Sequence, residues 1–194
     1  EAISEWGVEE ALRRIKGMFA FAAWEPHARP LVLARDRMGE KPLYYAKCGR
    51  GWLFASEIRA FAACSEWSPS VEHAAVAHFV QYNVIGGTRT IWSEARKVAP
   101  GAWVELTPES TAWPETRIYW STEQVAREGS AAPLRATADE AAERLHQALR
   151  LAVRRQLISD VPIGAFLSGG IDSSLVAALM RKEKGPGVRT FTIG

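Results

Sequence analysis

Ile163-Gly164-Ala165-Phe166-Leu167-Ser168-Gly169-Gly170-Ile171-Asp172-Ser173-Ser174 sets the architecture of the C-terminal third of the chain. Ile163 to Leu167 is a short apolar run of strand length. Ser168-Gly169-Gly170 is a glycine turn. Ile171 to about Lys184 carries Leu175 and Leu179 at i and i+4, the spacing of one helix face. In a parallel α/β sheet, such a strand–turn–helix corner lies at the carboxyl end of the strand, where ligands bind. The first turn of the helix offers unpaired N–H groups and the positive end of the dipole, which together make an anion site. Two adjacent glycines let phosphate oxygens approach the backbone, and Ser168, Ser173 and Ser174 add hydroxyl donors. Asp172 would repel a bare phosphate. With Mg²⁺ between them the repulsion becomes attraction, because Mg²⁺ favours one or two carboxylates plus phosphate oxygens. The chemistry points to a Mg²⁺-chelated polyphosphate. No Gly-Lys-Ser/Thr follows the glycines and the G-x-G-x-x-G spacing is absent, so neither a Walker A loop nor a dinucleotide fingerprint is read here. An ordinary corner with Asp172 and Ser173 as helix caps is the alternative.

Around this loop the pattern is helix–strand–helix–strand. Thr137-Ala138-Asp139-Glu140 matches a capping box. A helix is expected from there to about Ser159, with an apolar stripe of Ala141, Leu145, Ala148, Leu149, Ala152 and Leu157, and Pro162 ends that element. Gly185-Pro186-Gly187 stops the second helix, and Val188 to Ile193 is the next strand. This rhythm predicts a parallel α/β sheet. Residues 121–136, polar and small with Gly129-Ser130-Ala131-Ala132-Pro133, read as a linker.

The first 120 residues have a different texture. A helix ends near residue 16. Strands are expected at Gly17–Trp24 (closed by Glu25-Pro26), Leu31–Ala34, Leu43–Ala46 and Trp52–Ala55, with tight connections that suggest an antiparallel meander. Two of these runs are apolar on both faces, so the sheet should be covered on both sides. Short helices are expected from Ser56-Glu57 to Ala63 and from Glu72 to Tyr82, the latter with Val76, Phe79 and Val80 on its stripe. Ile91 to Val98 fits either state. Pro100-Gly101 is a turn before a final strand pair, Ala102–Leu106 and Arg117–Trp120. Trp24, Trp52, Trp67, Trp92, Trp103 and Trp113 should pack the core and edges, and one of Tyr44 and Tyr45 should be core. Arg35, Asp36 and Arg37 read as a turn with local ion pairs, and Glu57 as an early helix residue favoured by the dipole. His27, His73, His78 and His146 are dispersed and none is assigned to metal.

Composition bounds the rest. Net charge is +2 and no five like charges run together, so nucleic acid and membrane surfaces are not implied. No apolar run reaches the ~18 residues of a membrane-spanning helix. Cys48 and Cys64 form no disulfide framework and fit no zinc spacing, so both read as structural or incidental and a cytoplasmic setting is the default. The chain starts on Glu1 and stops within a strand pattern at Gly194, so an internal fragment of a longer protein is expected.

Ser168-Gly169-Gly170-Ile171-Asp172-Ser173-Ser174 resembles the S-G-G-x-D-S signature of N-type ATP pyrophosphatases, and Ser159 to Leu167 resembles the approach to it in glutamine-dependent asparagine synthetases. Gly17 to Ala22, Ala34 to Tyr45 and Phe54 to Ile58 are similar to the back half of the class II glutamine amidotransferase domain of that family. The resemblance implies three regions. Residues 1–120 would be the C-terminal half of an N-terminal-nucleophile (αββα) glutaminase of α+β class. Residues 121–136 would link it to 137–194, the start of a parallel α/β domain of the adenine-nucleotide α-hydrolase kind. It implies ATP-dependent adenylation of the aspartate side-chain carboxylate, followed by amidation with ammonia from glutamine. ATP and Mg²⁺ are the implied cofactors, small molecules the partners, and a homodimer is compatible. By resemblance Ser168, Gly169, Gly170, Ser173 and Ser174 hold pyrophosphate, Asp172 binds Mg²⁺, and Phe166 meets the adenine through its backbone. The catalytic cysteine of the glutaminase is expected upstream of Glu1, so no catalytic residue is assigned within the chain, and the isolated fragment is expected to be inactive. Relatives that close β-lactams, cyclise lasso peptides or amidate sugar acids are the alternative, as is a nucleotide-binding remnant without activity.

Overall fold

Asp36, only 1% exposed, sits where the chain leaves one sheet for another. In the computed structural model, which describes residues 1–25, 28–108, 110 and 112–193, the chain divides into two compact units, residues 1–126 and 127–194. Pro26, His27 and Gly194, each named in an expectation above, lie outside the described residues.

The first unit opens with two short helices, α1 (Ala2–Trp6) and α2 (Val8–Arg14). Glu9–Arg13 and Glu10–Arg14 pair at i,i+4, each at 2.7 Å, on the outer face of α2, and Ala11 and Leu12 are fully buried on the inner one. Strands β1 (Ala20–Glu25) and β2 (Ala28–Arg35) form an antiparallel hairpin, as do β3 (Tyr44–Cys48) and β4 (Gly51–Ala55). The two hairpins do not continue into one meander, which corrects the sequence expectation. β2 pairs instead with β6 (Ala102–Leu106), which pairs with β7 (Arg117–Ile118). β3 pairs with β5 (Ala95–Lys97). The sheets run β1-β2-β6-β7 and β4-β3-β5.

Strand alternation explains the layering. Leu33, Val104 and Leu106 of the first sheet meet Leu43, Tyr45 and Val98 on the inner side of the second. Val32, Ala34 and Trp103 turn the other way, onto Leu12 and Tyr119. Ala46 and Ala95 face outward from the second sheet onto Phe61, in a 3₁₀ helix at Ile58–Ala63. Both sheets are therefore covered on both faces, as their apolar sequences require. Tyr45 is the core tyrosine, at 2% exposure. Of the tryptophans, Trp103 is core and Trp24 stands in the open at 64%. Helix α3 (His73–Tyr82) buries Ala75 rather than the expected stripe, leaving Phe79 and Val80 exposed. The small alanine is the residue that permits close approach.

The expected linker contains a helix, α4 (Thr122–Ala131), whose first turn is capped by Ser121 Oγ accepting from Gln124 N at 3.1 Å. In the second unit, α5 (Ala138–Gln156) starts on the expected capping box. Thr137 Oγ1 accepts from Glu140 N, and the Glu140 carboxylate accepts from Thr137 N. None of its residues is fully buried, and Leu145 of the expected stripe is 60% exposed. Strands β8 (Gly164–Phe166) and β9 (Arg189–Phe191) pair in parallel around α6 (Ile171–Lys184). Leu179 and Met180 bury the inner face of α6, whereas Leu175 is 42% exposed. An Arg150–Glu183 ion pair joins α5 to α6.

Candidate functional site

The strand β8, the turn 167–170 and the first turn of α6 are continuous, as the sequence anticipates. The turn is held at its base by β9: Leu167 N donates to Phe191 O at 2.8 Å, and Thr192 Oγ1 donates to Leu167 O at 2.7 Å. Gly169 adopts φ +80°, a conformation open to glycine and strained for other residues. Nothing lies within 4 Å of where its Cβ would be, so the backbone there is open for a ligand to approach. Gly170 occupies the N-cap position of α6 without any side-chain cap.

The serines are not equivalent. Ser173 organises the turn. Its Oγ accepts from Ser168 N at 3.3 Å, donates to Gly170 O at 3.1 Å, and lies 3.0 Å from Ser168 Oγ. Ser168, Gly169, Gly170, Asp172 and Ser174 are all exposed. Asp172 does not cap the helix through its side chain, so the capping alternative holds in neither of its two residues: Ser173 bonds to the turn and not to the helix N–H groups. The site brings Ser168, Gly169, Gly170, Asp172, Ser173 and Ser174 together around an uncapped helix start. Phe166, 77% exposed, lies two residues upstream at the end of β8. Such a set offers backbone N–H groups, hydroxyls and one carboxylate on one surface, which suits an anion accompanied by a cation.

The Arg35–Lys41 turn of the first unit has a different character. The Asp36 carboxylate accepts from Phe19 N (3.3 Å), Glu40 N (2.9 Å) and Lys41 N (2.9 Å). Arg35 donates to the carbonyls of Gly39, Lys41 and Val98, and Arg37 to those of Arg13 and Ile15 at the end of α2. The expected local ion pairs are replaced by backbone partners, because the turn leaves more peptide groups unpaired than the sheets can satisfy. Gly39, at φ +67°, approaches Pro100 so closely that a Cβ would stand 2.8 Å from its ring. Tyr119 Oη donates to Arg35 O at 2.9 Å, and burial pushes this phenol up to about 12. Glu57 precedes the 3₁₀ helix with no side-chain cap. His78 Nδ1 lies 2.7 Å from Val84 O. Among the described residues, no three His, Cys, Asp or Glu side chains gather in a metal-binding group, and no helix is long and apolar enough to cross a membrane. Sequence reasoning missed one juxtaposition. Cys48 and Cys64 come together across sixteen positions, and no spacing rule signals that.

Two family models cover most of the chain. A glutamine amidotransferase domain matches residues 1–120, and asparagine synthase matches residues 144–194. The chain belongs to the glutamine amidotransferase family, in the branch joined to an asparagine synthase domain. Among relatives of this family, asparagine synthetase [glutamine-hydrolyzing] 1 of Bacillus subtilis is 30% identical over 186 residues, 96% of this chain and 28% of the relative. A putative asparagine synthetase [glutamine-hydrolyzing] of Mycobacterium bovis is 33% identical over 193 residues, 97% of this chain and 28% of the relative. Amidase chry2 of Gibberella zeae is 34% identical over 172 residues, 87% of this chain and 24% of the relative. The chain thus spans about a quarter of the length of these relatives.

Proposed function

We propose that this chain belongs to a glutamine-dependent ligase that adenylates a carboxylate and amidates it, and that residues 164–174 hold the pyrophosphate of ATP. The observation that carries the reading is the open, uncapped turn at the start of α6, with Gly169 at φ +80° and Ser173 bracing it. A carboxylate is a poor acyl donor. Its oxygen attacks the α-phosphorus of ATP, pyrophosphate leaves, and the acyl-adenylate carries AMP as a good leaving group. Ammonia from glutamine then attacks the acyl carbon and AMP departs. The loop acts on the first step by stabilising the departing negative charge.

In this reading the N–H groups of Gly169, Gly170 and the first turn of α6 hold phosphate oxygens, joined by the hydroxyls of Ser168 and Ser174. Ser173 both braces the turn and faces the phosphate. Asp172, an exposed carboxylate with no cap duty, fits a Mg²⁺ ion shared with the phosphates, and Mg²⁺ supplies charge neutralisation there. Phe166 meets the adenine through its backbone. Residues 1–120 form the C-terminal half of an N-terminal-nucleophile glutaminase, which the two facing sheets between helical layers support. Residues 137–194 begin the adenine-nucleotide α-hydrolase-like domain, reached through 121–136. The acceptor is the aspartate side chain, as the names of the asparagine synthetase relatives suggest. Similarity to a protein named as an amidase favours, as a second reading, another amide-forming acceptor on the same loop.

Isothermal titration of Mg-ATP into the chain, with Asp172→Ala alongside, tests the site. Binding to the wild type, weakened about tenfold or more in the variant, is the expected result, one lost cation contact being worth a kcal/mol or more. Equal binding by the two proteins, or binding by neither, removes the assignment.

A further inference from the structure

Cys48 is the last residue of β3 and Cys64 follows the 3₁₀ helix Ile58–Ala63. Their sulfurs lie 3.2 Å apart, and both thiols are free and partly exposed. The hairpin turn at Gly49-Arg50 and the register pair Cys48↔Gly51 fix the first cysteine. The second is fixed by hydrogen bonds on both sides, Cys64 N to Phe61 O and Trp67 N to Cys64 O, each at 3.0 Å. Phe61, 2% exposed, packs edge-on against Trp67 at 5.4 Å and anchors the segment to the outer face of the second sheet. Two thiols are thus held in contact by two separately anchored elements, and closing an S–S bond of about 2.05 Å needs a movement of roughly 1.2 Å.

We propose that Cys48 and Cys64 are an oxidisable dithiol that closes to an intramolecular disulfide, clamping the 3₁₀ helix onto the β3–β4 hairpin. The oxidant is a low-molecular-weight disulfide. One protein thiolate attacks one of its sulfurs and expels a small thiolate. The second protein thiolate then attacks the mixed disulfide at the protein sulfur and expels the other. Two protein thiols and one small disulfide become one protein disulfide and two small thiols, so atoms and electrons balance. Burial, the hydrogen bond shared with Cys64, and the Cys64 and Glu66 charges push the Cys48 thiol up to about 11. Once the Cys64 sulfur is in a mixed disulfide, its hydrogen bond no longer holds the proton on Cys48. Under a reducing poise the pair stays a dithiol and the clamp is open.

The test is oxidation of the 194-residue chain with oxidised glutathione, followed by alkylation, mass spectrometry and thermal unfolding. The expected product is a monomer lighter by two hydrogens that resists alkylation and yields a linked peptide pair containing Cys48 and Cys64. Its unfolding midpoint rises by roughly 6–12 °C, the size expected for a cross-link closing a loop of this length. Reduction with dithiothreitol reverses both changes, and Cys48→Ser or Cys64→Ser abolishes both. Glutathione adducts or intermolecular dimers in place of the linked peptide overturn the proposal, as does an oxidised monomer whose midpoint does not rise. The peptide map is made on the wild type, so it decides even if a serine variant does not fold.

Discussion

Residues 1–126 and 127–194 solve the same problem to different degrees. The first unit buries Leu33, Ala34, Ala46, Tyr45 and Val104 between and outside two sheets, while Trp24, Phe79 and Val80 stay exposed at its periphery. Among the described residues of the second unit only Leu179 and Met180 are buried, while Leu145, Leu151, Phe166, Ile171 and Phe191 are exposed. Hydrophobic stabilisation scales with apolar area removed from water, so most of it belongs to the first unit. The second unit is held by a two-stranded parallel ladder, the capping box and one pair of packed helices. The contrast sets a unit with a filled core against one whose apolar residues are largely exposed. The proposed anion loop sits in the second.

The contrast can be broken most forcefully by exchanging equivalent substitutions. Leu33→Ala should destabilise by about 3 kcal/mol, because Leu33 is fully buried between the sheets, whereas Leu145→Ala should change stability by less than about 0.5 kcal/mol. Urea unfolding of the two variants checks the pair. Similar losses would mean that the second unit has a core of its own. Asp36→Ala comes next, at about 2 kcal/mol, since it leaves three part-buried backbone donors without their carboxylate partner. The smallest effect is at Tyr119. Its folded value is raised above the ordinary 10.0 to about 12. The fold therefore favours the neutral phenol, and this contribution is complete below pH 10 and lost as pH rises from 10 through 12. Tyr119→Phe should cost about 1 kcal/mol at neutral pH and flatten the loss of stability over that alkaline range. An unchanged alkaline slope would sink the assignment.

Local chemistry was readable and non-local pairing was not. Thr137-Ala138-Asp139-Glu140 specifies a reciprocal cap within four residues, and the capping box forms. Gly49-Arg50 specifies a hairpin, and Ser168-Gly169-Gly170 a turn before a helix; both are present. The split of four strands into two sheets depends on pairings such as Leu31↔Leu106 and Tyr44↔Lys97, which alternation along one strand cannot specify. The same limit hid the contact of Cys48 with Cys64. In α3 the apolar residues were visible, but which of them faces the protein depends on its neighbours, and Ala75 took that position. Residues 121–136 looked like a linker because Gly129 and Pro133 outweighed the Ser121 cap that starts α4. Charged residues at 35–37 suggested ion pairs, and the backbone of a tight turn claimed them first. At the loop itself, the residues of the proposed anion site are seven consecutive positions, so its strand–turn–helix geometry was legible where the sheet order was not.

The account rests on the turn at the start of α6, and amide chemical shifts measure it directly. Magnesium pyrophosphate is titrated into ¹⁵N-labelled chain while the backbone amides are followed. The account predicts saturable shifts confined to Ser168, Gly169, Gly170 and the first turn of α6, lost in Asp172→Ala when magnesium is present. Shifts centred elsewhere, or none in this turn, would contradict it.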